Sequence, residues 1–115
     1  MLSRLHRKAE ALDGACLRAQ GHPNDPAVRQ ELLNALEWDR SLHPDHAQPL
    51  IRNLFKQVHD HSVGLSNVIR SAAHAPDGAV HMIAHGIQRL REHIGALVKV
   101  LAARRAARNA RDPAP

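Results

Sequence analysis

Ten of the 115 residues are histidine, and spacing decides which of them are placed to do chemistry. His81 and His85 stand four apart, so on a helix their rings converge on one ion and form half of a zinc site. A full site needs three or four ligands. Glu92, on the same face, lies ~10 Å beyond His85 at helical rise, and the chain has no Cys-x-x-Cys. His81 and His85 are therefore expected to be surface residues first and metal ligands second, and no cofactor is implied. His59 is followed by Asp60 and projects from the polar side of its helix. A neutral imidazole is a nucleophile, and a neighbouring carboxylate orients it or takes its proton. Asp39 and His61 fall on or beside apolar stripes, where a buried polar pair between two helices would fix their register. The two would read as an active-site pair beside a nucleophile or oxyanion donor, but neither is evident.

The segment from Val58 to Ile69 resembles the phosphoacceptor box of histidine kinases: a histidine and an acid, a helix-loosening residue, then leucine and serine. Here those are His59, Asp60, Gly64, Leu65 and Ser66. The layout is also similar to that of small histidine phosphotransfer domains, with a mid-chain histidine, the Gly64-Leu65 step and a further helix closing the bundle. The resemblance implies a phosphorelay module using His59 and Asp60. The chain departs from the phosphotransfer hallmark His-x-x-Lys-Gly, since neither His59 nor His61 has that lysine and glycine after it. It carries no nucleotide-binding motif, so it is not a kinase alone. Arg52-Asn53 followed by His59 also resembles the arginine-histidine element of HEPN ribonucleases, which are small helical bundles as well.

A second constellation is basic. Lys99, Arg104, Arg105, Arg108 and Arg111 follow one another with no acid before Asp112. The stripe Val80, Ile83, Ile87, Leu90, Ile94, Leu97 and Leu101, extended by helical steps, lands on Arg104 or Arg105 and then on Arg108. A bundle core does not accept arginine, so the helix is expected to project there. With Arg4, Arg7 and Lys8 of the first helix, these cations suit an acidic protein surface, or alternatively nucleic acid. The plainer reading is a solubilising tail whose cations favour a helix C-terminus. Trp38 and Phe55 are the sole aromatics, which argues against a stacking platform for single strands.

Four helices must position these residues. Three polar breaks, His22-Pro23-Asn24-Asp25, His43-Pro44-Asp45 and His74-Ala75-Pro76-Asp77, share one chemistry. A histidine faces the negative end of a helix, a proline stops it, and an aspartate accepts the free N–H groups of the next first turn. The helices are expected at about 2–20, 26–42, 46–73 and 78–110, in one domain over 1–110, with 111–115 as a frayed tail. Leu2, Leu5, Ala9, Leu12, Cys16 and Ala19 form the stripe of the first. Val28, Leu32, Ala35, Leu36 and Leu42 form that of the second, and Ile51, Leu54, Val58, Leu65, Ile69 and Ala72 that of the third. Asp45 with Gln48 predicts a capping box for the third helix. The residues around the first break, Leu17 to Val28, align without gaps to Ile69 to Val80, which is expected where two junctions need the same caps, the alternative being a duplicated helical hairpin with pseudo-twofold symmetry. Short turns make consecutive helices antiparallel neighbours. The expected fold is an all-α, antiparallel up-down four-helix bundle whose long fourth helix projects. The alternative is two hairpins pairing across a homodimer.

Composition bounds the function. Hydrophobic residues make up 43% of the chain and the net charge is +5, so an acidic partner is the natural one. The single Cys16 excludes an intrachain disulfide and suggests a reducing compartment. The start of the chain lacks the apolar run of a signal peptide. Ile94 to Ala103, broken by Lys99, is too short to span a bilayer. The expectation is a cytoplasmic, non-catalytic adaptor or regulator working by protein contact, with phosphorelay through His59 and nucleic-acid binding through the basic helix as alternatives.

Overall fold

The computed structural model describes the backbone of residues 2–72 and 76–111 and the side chains of 2–72 and 80–109. Among the described residues four helices form, α1 (Leu2–Gly21), α2 (Pro26–Ala35), α3 (Pro49–Ser71) and α4 (Pro76–Arg111), with one 3₁₀ turn at Arg40–Leu42. No strand occurs among the described residues. The 36 residues of α4 span ~54 Å at helical rise, so this helix accounts for the 57 Å long axis of the molecule.

α1, α3 and α4 bury most of the stripes their sequences announce, whereas α2 and its cap bury only Leu32 and Leu36 of theirs. α1 buries Leu5, Ala9, Leu12, Cys16 and Ala19, and α4 buries Ile83, Ile87, Leu90, Ile94, Leu97 and Leu101. These join Leu32 and Leu36 and the face of α3 in one contiguous core. Each fully buried leucine or isoleucine contributes roughly 1.5–3 kcal/mol. α1 packs on α2 and on α4, α3 packs on α4, and α2 touches the side of α3. Partners on α4 rise in number as those on α1 fall: Gln20 Nε2 donates to Gln88 (3.2 Å), and Asp13 accepts from Arg91 Nε (3.0 Å). Further along, Leu2 lies beside Leu101 and Arg105. On the other flank of α4, His61 meets His93, and Leu65 packs on Gly86, where an added Cβ would stand 2.9 Å from Leu65 Cδ1.

The connection between α2 and α3 departs from expectation. The predicted helix over 26–42 stops at Ala35. Lys8 Nζ donates to the carbonyl of Ala35 (2.9 Å) and so closes the helix end. Asp39 then accepts from the Ser41 N–H (2.8 Å) and caps the 3₁₀ turn instead of continuing α2. Short polar side chains that bond nearby backbone compete with helix in this way. The predicted capping box of α3 does not form. The helix begins at Pro49, whose fixed φ suits the first position, after Gln48, which makes no side-chain cap. Asp45 instead pairs with Arg40 at 2.9 Å. Asp25 does cap α2, accepting from Ala27 N–H at 2.9 Å. The cap expected of Asp77, the role of His74 and the tail after Arg111 lie outside the described residues, as does part of the second copy of the aligned junction.

Candidate functional site

Two regions gather the residues with chemistry. The first surrounds the connection between α2 and α3. Trp38 turns inward from the end of α2, and its ring stands edge-on to Phe55 of α3 at 5.3 Å between centroids. Its indole N–H donates to Ser62 Oγ (3.1 Å), and that hydroxyl donates to the carbonyl of Val58 (2.7 Å). Ser62 is fully buried, and these two bonds satisfy it. Lys8 reaches over the Trp38 ring at 5.6 Å. Burial holds the Lys8 ammonium below the usual lysine range, against the pull of Glu37.

The expected pair of Asp39 and His61 is not formed. Asp39 is exposed and caps the turn. Its carboxyl is held below the usual range first by the Ser41 backbone N–H and the Ser41 side chain, then by Arg4 and His43. His61 Nδ1 lies 2.8 Å from the Gln57 carbonyl, an acceptor only, so the imidazole is the donor. Its ring packs on His93 of α4 at 4.1 Å. The polar link between the two elements is Trp38 with Ser62, one residue away on each side. On a helix one residue turns the side chain by about 100°, which moves it from core to surface.

His43, at the end of the 3₁₀ turn, packs on Phe55 (4.8 Å) and on His59 (5.2 Å). Arg40 Nη1 lies 3.1 Å from His43 Nδ1. A guanidinium only donates, so this nitrogen is the acceptor and Nε2 carries the proton. Burial, then Arg40 and His59, hold the His43 pKa below its ordinary value, against Asp45 and Asp39. His59 Nδ1 is 3.8 Å from Asp60 Oδ1, a charge contact rather than a hydrogen bond. An open groove of about 300 Å³ runs here, lined by His43, Pro44, Asp45, Arg52, Phe55, Lys56, His59 and Asp60. The structure thus brings His59 and Asp60 together with Arg52, as the sequence placed them. It adds His43, Phe55 and Lys56, which sequence reasoning missed. The available signal was that the two aromatics each precede one of these histidines by four or five residues.

The second region is the basic end of α4. Among the described residues Leu101 is the last that is buried, and Ala102 to Asn109 are all exposed on a continuing helix. Arg104, Arg105 and Arg108 stand beside Leu2, Ser3 and His6 of α1 around a shallow cleft of about 70 Å³. None of Arg7, Lys99, Arg104, Arg105 and Arg108 forms an ion pair among the described residues. One cation expected here is engaged elsewhere: Lys8 closes α2. Arg4 is exposed and forms no ion pair among the described residues. The Arg111 side chain lies outside the described residues. His6 Nε2 is buried and 2.6 Å from Glu10, off the hydrogen-bonding direction, so the contact is electrostatic when the ring is charged.

His81 and His85 lie exposed on α4, and among the described residues no group of three His, Cys, Asp or Glu side chains is arranged to hold a metal ion. Cys16 is fully buried, and burial, then Asp13, push its thiol up to about 12 against Arg91. It is therefore no nucleophile at neutral pH. No helix among the described residues is long and apolar enough to cross a membrane. Compared with models of protein families, with curated proteins and with solved structures, the chain matches none.

Proposed function

We propose that this chain is a cytoplasmic, non-catalytic adaptor or regulator, a single antiparallel up-down four-helix bundle that grips an acidic protein surface through the basic end of α4. The observation that carries the reading is the run of α4 beyond Leu101, where the core stripe turns into Arg104, Arg105 and Arg108, exposed and without carboxylate partners among the described residues. A helix that outlasts its own core offers a face for another chain, and arginine forks bind carboxylates in two-point fashion. The neighbour order of the helices and the falling-rising pairing of α1 with α4 support the up-down arrangement.

The test is native mass spectrometry at low salt on the protein isolated gently from the cells that make it, beside the variant Arg104→Gln/Arg105→Gln/Arg108→Gln. The expected result is an added protein mass that the variant loses. Bare chains in both samples would sink the reading. Nucleic-acid mass lost in the variant would replace the partner by a polyanion, and a doubled chain mass would identify a homodimer.

A second reading has its own observation. The His59 ring lines an open groove with Lys56 and Arg52, where a phosphoryl group on the imidazole would meet two cations. Phosphorelay through His59 predicts acid-labile phosphate after exposure to a small-molecule phosphodonor. The label should vanish in His59→Gln, and phosphate that persists there would exclude it.

A further inference from the structure

The groove beside His59 has a property that neither protein contact through α4 nor covalent transfer requires. Its floor is one face of α3: Arg52, Lys56 and His59 follow one another at steps of four and three residues, so all three project into the same strip. Its far wall is His43-Pro44-Asp45, held against α3 by the packing of His43 on Phe55 and His59. The charges in and around it are unevenly spent. Asp45 is bound to Arg40 at 2.9 Å. Asp60 stands 3.8 Å from His59. Asp39, at the edge of the same connection, accepts from the Ser41 N–H. Arg52 and Lys56 form no ion pair among the described residues. Two cations one helical turn apart therefore look into the groove together with two imidazoles.

The donor set is specific in kind. Arg52 offers a planar fork, Lys56 a point charge with three protons, and His43 an N–H at Nε2, because Arg40 occupies Nδ1. Fork plus point charge plus neutral N–H is the chemistry that recognises a tetrahedral oxyanion. At about 300 Å³ the groove reaches the lower end of the roughly 300–1,000 Å³ range of small-molecule sites. Phe55 and Pro44 give it an apolar edge for a group attached to the anion.

We propose that this groove is a binding site for a phosphate group, free or as a small monoester, held by Arg52 and Lys56 with His43 and His59 as hydrogen-bonding partners. Binding is reversible and forms no covalent bond, so it stands whether or not His59 accepts a phosphoryl group.

The chain reports on the site itself. Trp38 is its single tryptophan and touches Phe55, which touches both imidazoles. Inorganic phosphate and phenyl phosphate are titrated at constant ionic strength into the full chain, with Trp38 fluorescence and histidine ring proton shifts as readouts. Saturable changes at His43 and His59 are expected, with affinity falling about tenfold or more in Arg52→Gln/Lys56→Gln. Both positions are exposed, so the fold should survive, and an unchanged Tm checks this. The charge-matched control Arg70→Gln/Arg89→Gln should bind like the parent. Equal affinity for the two probes assigns the free ion, and tighter phenyl phosphate assigns a monoester resting on Phe55. No saturable change, or equal weakening in both double variants, overturns the site.

Discussion

α4 and the connection from Leu36 to Gln48 are built on opposite principles. α4 is a single helix because seven apolar residues recur along it at helical spacing and six of them are buried. The sequence predicts helix over most of the connection, yet it holds one 3₁₀ turn between irregular stretches. Its apolar residues are too few to force a helix, so single side chains decide it: Lys8 ends α2, Asp39 caps the turn, Trp38 docks on Phe55 and Ser62, and Asp45 takes Arg40. Where a stripe is long, summed burial dominates. Where it is short, individual hydrogen bonds of about 1 kcal/mol are enough to choose the backbone.

The contrast can be broken most directly by deleting core volume. Leu90 of α4 is fully buried, and Leu90→Ala should cost ~3 kcal/mol in denaturant unfolding. Leu42 in the connection is half-buried, and Leu42→Ala should cost well under half as much. Equal losses would mean that Leu42 is held as firmly as Leu90 and the distinction is false. A double-mutant cycle of Trp38→Phe with Ser62→Ala should show a coupling of about 1 kcal/mol. The same cycle on Asp39→Asn with His61→Gln should show none, and a reversed pattern would restore the pair that the structure separates.

Smaller effects sharpen the comparison on α3 and α4. An added Cβ at Gly64 meets nothing within 4 Å, so Gly64→Ala should raise stability by ~0.5–1 kcal/mol through helix propensity alone. Gly86→Ala should gain less, because the Leu65 side chain must move. The smallest effect is on pH dependence. His43 and His93 both have folded pKa values below 6.5, first through burial, and then through Arg40 and His59 or through His61 and Arg89 respectively. The unfolded chain therefore binds more protons at these sites. Stability should be intact above about pH 6.5 and fall as pH drops from there towards the folded values. His93→Gln should flatten a Tm profile taken between neutral and mildly acidic pH. Asp39 works at lower pH: its depressed folded pKa gives stability present above the unfolded value and lost as pH falls through the folded one.

The candidate sites were legible to different depths. The arginine end of α4 could be read because it is the continuation of a stripe, and the structure places Arg104, Arg105 and Arg108 on the exposed helix that the reading required. Lys8 is assigned to that end from charge alone, and a contact across the fold directs it elsewhere. His59 and Asp60 were singled out as neighbours in sequence. That His43 and Lys56 share their groove depends on how the connection folds back on α3, and no periodicity records that.

Taken by itself, the amino-acid sequence determined the all-helical class, the stripes of α1, α3 and α4, the Asp25 cap and the change of α4 from leucine to arginine. All of these follow from interactions within a few residues, repeated along a helix. Only the tertiary structure decided where α2 stops, that Trp38 and Ser62 rather than Asp39 and His61 join the two elements, and which cations remain unpaired. Those outcomes turn on contacts between residues distant in the chain, where a rotation of one position exchanges core for solvent and local patterning carries no information about the partner.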